Sequence, residues 1–144
     1  MSIATGGLES RARSLIDQGL VWENHACMPM RPETDFLPQL ARMKQSGYTV
    51  VSLNVGMDST DTNTNLRLIA VFRAWVREHP NDYMLIETSE DVREARRRGL
   101  LGVCFDLEGL SSVDGQISLI DLYYSLGVRW ALMAYNKTNA LAGG

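Results

Sequence analysis

The sequence has little cysteine, no excess of basic charge and no long hydrophobic run. Two cysteines among 144 residues cannot form the disulfide framework that small exported scaffolds use. Fourteen Lys and Arg against 17 Asp and Glu give a formal net charge of −3, which argues against a nucleic-acid-binding surface. Residues 1–14 lack the apolar core of a signal peptide, and no apolar segment could span a bilayer. We expect a cytoplasmic protein that binds neither nucleic acid nor membrane.

Four glycines mark places where a helical segment runs directly into an apolar segment: Gly19, Gly47, Gly99 and Gly127. Because glycine readily adopts the left-handed conformation that closes a helix, each of them predicts a helix-to-strand junction. Their spacing fits βα units of about 30 residues, the unit from which a (β/α)8 barrel is built. The 52-residue gap between Gly47 and Gly99 holds two such units.

Hydrophobic periodicity predicts five strands and five helices in alternation. The predicted strands cover residues 20–25, 48–55, 83–87, 101–107 and 128–134. The predicted helices cover residues 8–18, 35–46, 62–78, 88–99 and 117–126. This alternation favours an α/β fold with a parallel sheet. We expect one incomplete domain over residues 1–144, the first five βα units of a (β/α)8 barrel; a five-stranded doubly wound sheet is the alternative.

Every predicted strand ends in polar residues, and ligands of parallel α/β proteins bind at that edge of the sheet. These residues are Asn24, His25, Asn54, Glu87, Asp106, Glu108, Tyr135 and Asn136. Each alone is as well explained by a turn or a helix cap. Their recurrence at five strand ends in succession favours a functional site. No glycine-rich phosphate loop and no Gly-x-Ser-x-Gly motif follows a strand.

The first strand carries two candidate metal ligands on one face. Strand alternation places Glu23, His25 and Cys27 on the same side. An imidazole and a thiolate are good zinc ligands. The pattern alone is weak evidence, because a single histidine is more often a hydrogen-bonded structural residue and a cysteine is often simply buried.

The fourth strand supplies the carboxylates. Asp106 and Glu108 share a face with Cys104, and apolar residues form the opposite face. A charge at the end of an apolar strand is costly unless it is paired or binds a metal. The alternative to metal binding is an ion pair with an arginine such as Arg129, and we expect Cys104 to pack as a small hydrophobic residue.

Three motifs in this order resemble those of the membrane (renal) dipeptidase-like zinc peptidases, peptidase family M19. Residues 23–29 read Glu-Asn-His-Ala-Cys-Met-Pro, where the family has approximately Asp-Gly-His-x-Asp-x-Pro. Glu108 and Gly109 match the family's Glu-Gly at a strand end. Residues 127–130 and 133–136 read Gly-Val-Arg-Trp and Met-Ala-Tyr-Asn, similar to Gly-Val-Arg-Tyr and Leu-Thr-His-Asn. The resemblance is to the N-terminal half of such enzymes and suggests a divergent, bacterial-type subgroup.

The resemblance implies a (β/α)8 hydrolase that cleaves dipeptides with a water activated by two zinc ions. His25 and Cys27 would be metal ligands, with Cys27 in the place of the family aspartate. Glu108 would bridge the two ions and act as the catalytic residue. Tyr135, in the place of a family histidine, and Asn136 would contact the substrate.

The family's second metal takes two histidines from later strands, and the other histidine of this chain, His79, is misplaced for that role. We therefore expect a fragment of a larger enzyme that is inactive alone. Two other interpretations remain open. One is a non-catalytic α/β half-barrel that binds or assembles with another chain, for example as a homodimer. The other is a divergent amidohydrolase with one metal held by His25, Cys27 and Glu108.

Overall fold

The computed structural model describes residues 5–144, and strands and helices alternate along them as the sequence predicts. The strands are β1 (Trp22–Ala26), β2 (Val50–Met57), β3 (Tyr83–Leu85), β4 (Leu101–Glu108) and β5 (Val128–Leu132). The α-helices are α1 (Thr5–Gln18), α2 (Leu40–Gln45), α3 (Thr62–Glu78), α4 (Ser89–Arg98) and α5 (Ser118–Ser125). All four strand pairings are parallel, which confirms the predicted parallel sheet.

The order of the strands in the sheet differs from their order in the chain. Strand β2 lies between β1 and β4, and β3 and β5 share the other edge of β4. Tyr83 of β3 pairs with Leu101 at the start of β4, whereas Val128 of β5 pairs with Phe105 further along. Because β5 occupies the second half of that edge, β3 pairs over only three residues and is shorter than predicted.

Three of the four glycine junctions have the left-handed backbone that the sequence predicts, with φ of 93° at Gly47, 66° at Gly99 and 105° at Gly127. Gly19 does not: its N–H donates to the carbonyl of Leu15 at 2.9 Å, which continues the helical pattern, and its φ is outside the left-handed region.

The helix expected over residues 35–46 is shorter and less regular than predicted. A 3-10 helix covers Leu37–Gln39, and α2 follows from Leu40 to Gln45. Pro38 lies within the 3-10 turn and has no N–H to donate to a preceding carbonyl. The segment therefore begins as a tight turn and continues for only a short α-helix.

The two faces of the sheet have different chemistry. The face under α3 is the main apolar core, formed by Val51, Leu53, Val55, Val103, Phe105 and Leu107 of the strands with Leu68, Ile69 and Phe72 of the helix. The opposite face carries the buried polar residues Ser52, Asn54 and Asp106. Val50 and Cys104 on that face pack against Val92 and Ala95 of α4. Burial of the apolar face stabilises the sheet. The opposite face carries the polar residues near the strand ends.

Helix α4 has stabilising residues at both of its ends. Thr88 and Asp91 form a capping box at the start of α4, and three arginines occupy its last turn. The capping box satisfies free N–H groups in the first turn, and the arginines interact favourably with the negative end of the helix dipole in the last turn.

Within residues 5–144, no helix combines the length and apolarity needed to cross a bilayer.

Candidate metal centre

His25, Cys27 and Glu108 come together at the carboxyl ends of β1 and β4. His25 is on β1, Cys27 follows that strand directly, and Glu108 is the last residue of β4. The His25 Nε2 atom lies 3.3 Å from Cys27 Sγ and 3.6 Å from Glu108 Oε1. One ligand atom from each residue lies within 4.8 Å of the other two. Although β2 separates the two strands, the three side chains converge on one point.

The three atoms fit the requirements of a zinc ion. Zinc accepts nitrogen, sulfur and oxygen ligands at about 2.0–2.3 Å, so tetrahedral ligand atoms are separated by roughly 3.3–3.7 Å. The separations of His25 Nε2 from Cys27 Sγ and Glu108 Oε1, 3.3 and 3.6 Å, fall in that range. A nitrogen, a sulfur and a carboxylate oxygen that all lie within 4.8 Å of one another form a donor set suited to a divalent cation.

Asp106 and Ser52 lie behind His25 on the same face of the sheet. Asp106 Oδ1 is 2.8 Å from His25 Nδ1, and Asp106 Oδ2 accepts a hydrogen bond from Ser52 Oγ at 2.7 Å. Asp106 and Ser52 are both fully buried. Burial raises the pKa of Asp106, while the hydrogen bonds from Ser52 and His25 act in the opposite direction. The carboxylate is thus contacted on both oxygens by side chains of other strands.

Glu108 and Cys27 have different surroundings. Asn54 Nδ2 donates to Glu108 Oε2 at 3.4 Å, and Asn54 Oδ1 accepts from the Gly56 N–H at 2.9 Å, which fixes the orientation of this buried amide. Burial, together with the carboxylates of Glu108 and Asp106, raises the pKa of the exposed Cys27 thiol. A cation at this point would favour the thiolate and offset those effects.

Trp130 borders the site from β5. Its ring packs edge-on to the His25 imidazole with 5.6 Å between centroids. Its indole Nε1–H donates to the Asn24 carbonyl at 2.7 Å. Trp130 therefore connects β5 to β1 and restricts the space beside His25.

The two expected substrate residues lie outside this cluster. Tyr135 and Asn136 follow β5 in an exposed loop, and their side chains form no hydrogen bond with the three candidate ligands. Asp58 holds the loop: Oδ2 accepts the Tyr135 backbone N–H at 2.9 Å, and Oδ1 accepts from Ser111 Oγ at 2.7 Å. These hydrogen bonds lower the pKa of Asp58. The loop is thereby attached to the segment that follows Glu108.

The structure decides three further expectations from the sequence, which concern Arg129, Cys104 and Glu87. Asp106 contacts His25 and not Arg129, whose guanidinium donates to the carbonyls of Glu87 and Tyr124. Cys104 is buried in an apolar cluster, as expected. Glu87 does not join the other strand-end residues and pairs with Arg73 at 3.3 Å.

Sequence reasoning missed Ser52 and Asp58. Ser52 had a usable signal, because Ser52 and Asn54 alternate with apolar residues along β2 and pair with the polar face of β4. Asp58 had none: it follows β2 in a segment whose path only the folded chain defines. Its partners Ser111 and Tyr135 lie 53 and 77 residues away.

Comparison with known proteins supplies the family. An uncharacterized dipeptidase of Schizosaccharomyces pombe is 32% identical over 85 residues, which cover 58% of this chain and 20% of that protein. A Pseudomonas aeruginosa amidohydrolase structure superposes with a TM-score of 0.78 at 19% identity, over 92% of this chain and 39% of that one. A Rhodobacter sphaeroides metallopeptidase liganded with a phosphinate mimic of the dipeptide L-Ala-D-Ala gives 0.70 at 13% identity, over 87% and 48%.

The chain thus spans about a fifth of the curated relative it matches and less than half of these solved structures. The structural likeness shows a parallel α/β sheet with the fold of part of a (β/α)8 barrel, as the sequence predicts. The family model of the membrane dipeptidases matches residues 11–144. This chain belongs to the membrane dipeptidase family, peptidase family M19.

Proposed function

We propose that this chain carries a zinc site of a dipeptidase, with His25, Cys27 and Glu108 as the ligands. The observation that carries the proposal is the convergence of these three side chains, with His25 Nε2 3.3 Å from Cys27 Sγ and 3.6 Å from Glu108 Oε1. Structural zinc sites use four protein ligands, whereas catalytic sites use three and keep one position for water. Three donors therefore favour a catalytic site.

The residues would divide the work of peptide hydrolysis. Zinc bound here would supply a water of lowered pKa and would polarise the scissile carbonyl. His25 would bind through Nε2, and Cys27 would contribute a negative charge in the place of the family aspartate. Glu108 would hold zinc and, in a complete barrel, be shared with a second zinc ion; Asn54 Nδ2 donates to its Oε2 at 3.4 Å. Tyr135 and Asn136 would bind the substrate from the loop after β5.

The proposed substrate is a dipeptide, and the proposed catalyst is a protein with the complete barrel. Support comes from a relative named as a dipeptidase and from a solved structure that holds a dipeptide mimic. Because the chain covers less than half of the solved structures, we assign zinc binding to these residues and dipeptide turnover to the complete barrel. We expect the 144-residue chain alone to bind zinc without hydrolysing dipeptides.

Zinc stoichiometry tests this proposal directly. The purified chain is loaded with zinc, dialysed and analysed for metal, together with His25→Ala, Glu108→Gln and the control Glu87→Gln. Glu87 lies two residues after β3, and its carboxylate pairs with Arg73, so its variant makes the same charge change away from the site. We expect tight zinc in the wild type and the control and loss of zinc in both site variants. Absence of zinc from a folded wild-type chain contradicts the proposal.

A second candidate function is assembly with another chain. Trp22 on β1 and Leu132 on β5 are 46% and 40% exposed, although strands of a (β/α)8 barrel are covered on both faces. A half-barrel that completes itself with a second copy would bury them. Light scattering on the chain with and without zinc separates the two candidates: a stable dimer with no zinc dependence supports assembly, and a zinc-binding monomer supports the metal site.

A further inference from the structure

His25, Asp106 and Ser52 form a continuous hydrogen-bonded row on the polar face of the sheet. His25 Nδ1 lies 2.8 Å from Asp106 Oδ1, and Ser52 Oγ lies 2.7 Å from Asp106 Oδ2. The three residues come from β1, β4 and β2, so each belongs to a different strand. The row ends at His25, whose other nitrogen, Nε2, lies 3.3 Å from Cys27 Sγ and 3.6 Å from Glu108 Oε1.

We propose that Asp106, held in place by Ser52, is a positioning residue that fixes the tautomer and ring orientation of His25 for binding a divalent metal through Nε2. The inference rests on the proposed zinc site and deepens it. Asp106 itself is not assigned as a ligand, since its two oxygens are engaged by His25 and Ser52.

The chemistry of the two ring nitrogens supports this role. A neutral imidazole has one N–H donor and one acceptor nitrogen, and the hydrogen bond made by one nitrogen decides which is which. An ionised carboxylate can only accept, so Asp106 Oδ1, which lies 2.8 Å from His25 Nδ1, would favour the tautomer with the proton on Nδ1. The lone pair is then on Nε2, which points toward the thiol and the Glu108 carboxylate.

The position of Asp106 makes it an effective anchor. Its side chain is 0% exposed and lies in the interior of β4, two residues before Glu108. It therefore has little freedom to move, and Ser52, also 0% exposed, prevents rotation of the carboxylate. An exposed carboxylate would carry the same charge, but its side chain would be free to move. A buried carboxylate is costly unless it is fully hydrogen-bonded, and this one has a partner on each oxygen.

Zinc affinity tests the role of Asp106. Competition with a chromophoric chelator is measured for the wild type, Asp106→Asn, Ser52→Ala and the charge-matched control Glu87→Gln. Loss of a partner that orients a metal-bound histidine typically weakens metal binding by about 10–100-fold, and we expect that loss for Asp106→Asn. For Ser52→Ala we expect a loss of about fivefold, the value of one ordinary hydrogen bond. The control keeps wild-type affinity, and circular dichroism and the melting temperature establish that each variant is folded.

Nuclear magnetic resonance of the imidazole nitrogens provides an independent readout on the wild type. The chain has two histidines, so His79→Gln leaves His25 as the one imidazole. We expect the proton on Nδ1 in the metal-free protein and zinc on Nε2 after loading. In folded Asp106→Asn we expect a mixture of the two tautomers before loading.

The outcomes separate the two proposals. If the wild type binds no zinc, the proposed function fails, and this inference fails with it. If the wild type binds zinc but folded Asp106→Asn binds it equally well, or if zinc is found on Nδ1, the positioning role is overturned and the zinc site stands.

Discussion

Asp58 and Tyr135, 77 residues apart in the chain, are joined by a hydrogen bond of 2.9 Å from the Tyr135 backbone N–H to Asp58 Oδ2. The same carboxylate accepts from Ser111 Oγ at 2.7 Å. Gly109, next to Glu108, lies so close to Asp58 that an added Cβ would overlap its carboxylate. The Asp58 side chain thus connects the end of β2, the segment after β4 and the loop after β5, which surround the candidate metal centre.

The contact between Gly109 and Asp58 predicts that Gly109→Ala is destabilising. Gly109 has φ of +116°, which L-residues rarely adopt, and there is no space for a methyl group. We expect a loss of about 1–3 kcal/mol in the free energy of unfolding, measured by urea denaturation. The matched control is Gly115→Ala, because Gly115 has φ of +73° with nothing within 4 Å of an added Cβ. Its loss should be clearly smaller, and equal losses would contradict the steric part of the explanation.

The Asp58 hydrogen bonds also predict a pH dependence of stability. They lower the pKa of Asp58 in the folded chain, with the Tyr135 N–H as the largest cause. The stabilisation is therefore fully present above the unfolded carboxyl pKa of about 3.9 and is lost as pH falls through the lower pKa of the folded state. We expect the difference in unfolding free energy between wild type and Asp58→Asn to be constant from pH 6 to pH 5. It should shrink toward pH 2; a difference that does not change with pH would contradict the prediction.

The two cysteines should differ in reactivity, and zinc should change only one of them. Cys27 is exposed, whereas Cys104 is buried and burial raises its pKa to about 11. We expect iodoacetamide to alkylate Cys27 in the folded chain and Cys104 only after denaturation, as measured by peptide mass spectrometry. Zinc should slow the alkylation of Cys27 by at least ~10-fold, because a coordinated thiolate is shielded. In Glu108→Gln the protection should disappear; equal rates with and without zinc in the wild type would exclude Cys27 as a ligand.

The capping box of α4 predicts a measurable contribution to stability. Thr88 Oγ1 accepts the Asp91 N–H at 3.3 Å, and Asp91 Oδ2 accepts the Thr88 N–H at 2.7 Å. Thr88→Ala removes the side-chain acceptor of the Asp91 N–H. We expect it to lower the free energy of unfolding by about 1 kcal/mol, measured by thermal or urea unfolding. The neighbouring exposed Ser89→Ala is the control and should be within about 0.5 kcal/mol of wild type.

Local sequence rules predicted the helices correctly where a single residue or a single hydrophobic periodicity determines their bounds. Helix α3 has the predicted bounds 62–78, because its apolar spacing is a property of that segment alone. Gly99 ends α4 with φ of +66° as predicted. The expectation failed at Gly19, where a helical hydrogen bond from the Gly19 N–H to the Leu15 carbonyl replaces the left-handed turn, and at residues 35–46, where Pro38 limits the helix.

The sequence by itself determined the strands, their parallel pairing and the identity of the candidate ligands, because side-chain alternation and strand-end chemistry are properties of short segments. Only the tertiary structure decided that β2 lies beside β4, that β3 and β5 share one edge, and that Glu87 is separate from the cluster while Asp106 contacts His25. The physical reason is that strand order and side-chain convergence depend on contacts between separate segments, such as Val50 with Gly102 and His25 with Asp106, which are 52 and 81 positions apart. The hydrophobic periodicity of a short segment carries no information about such contacts.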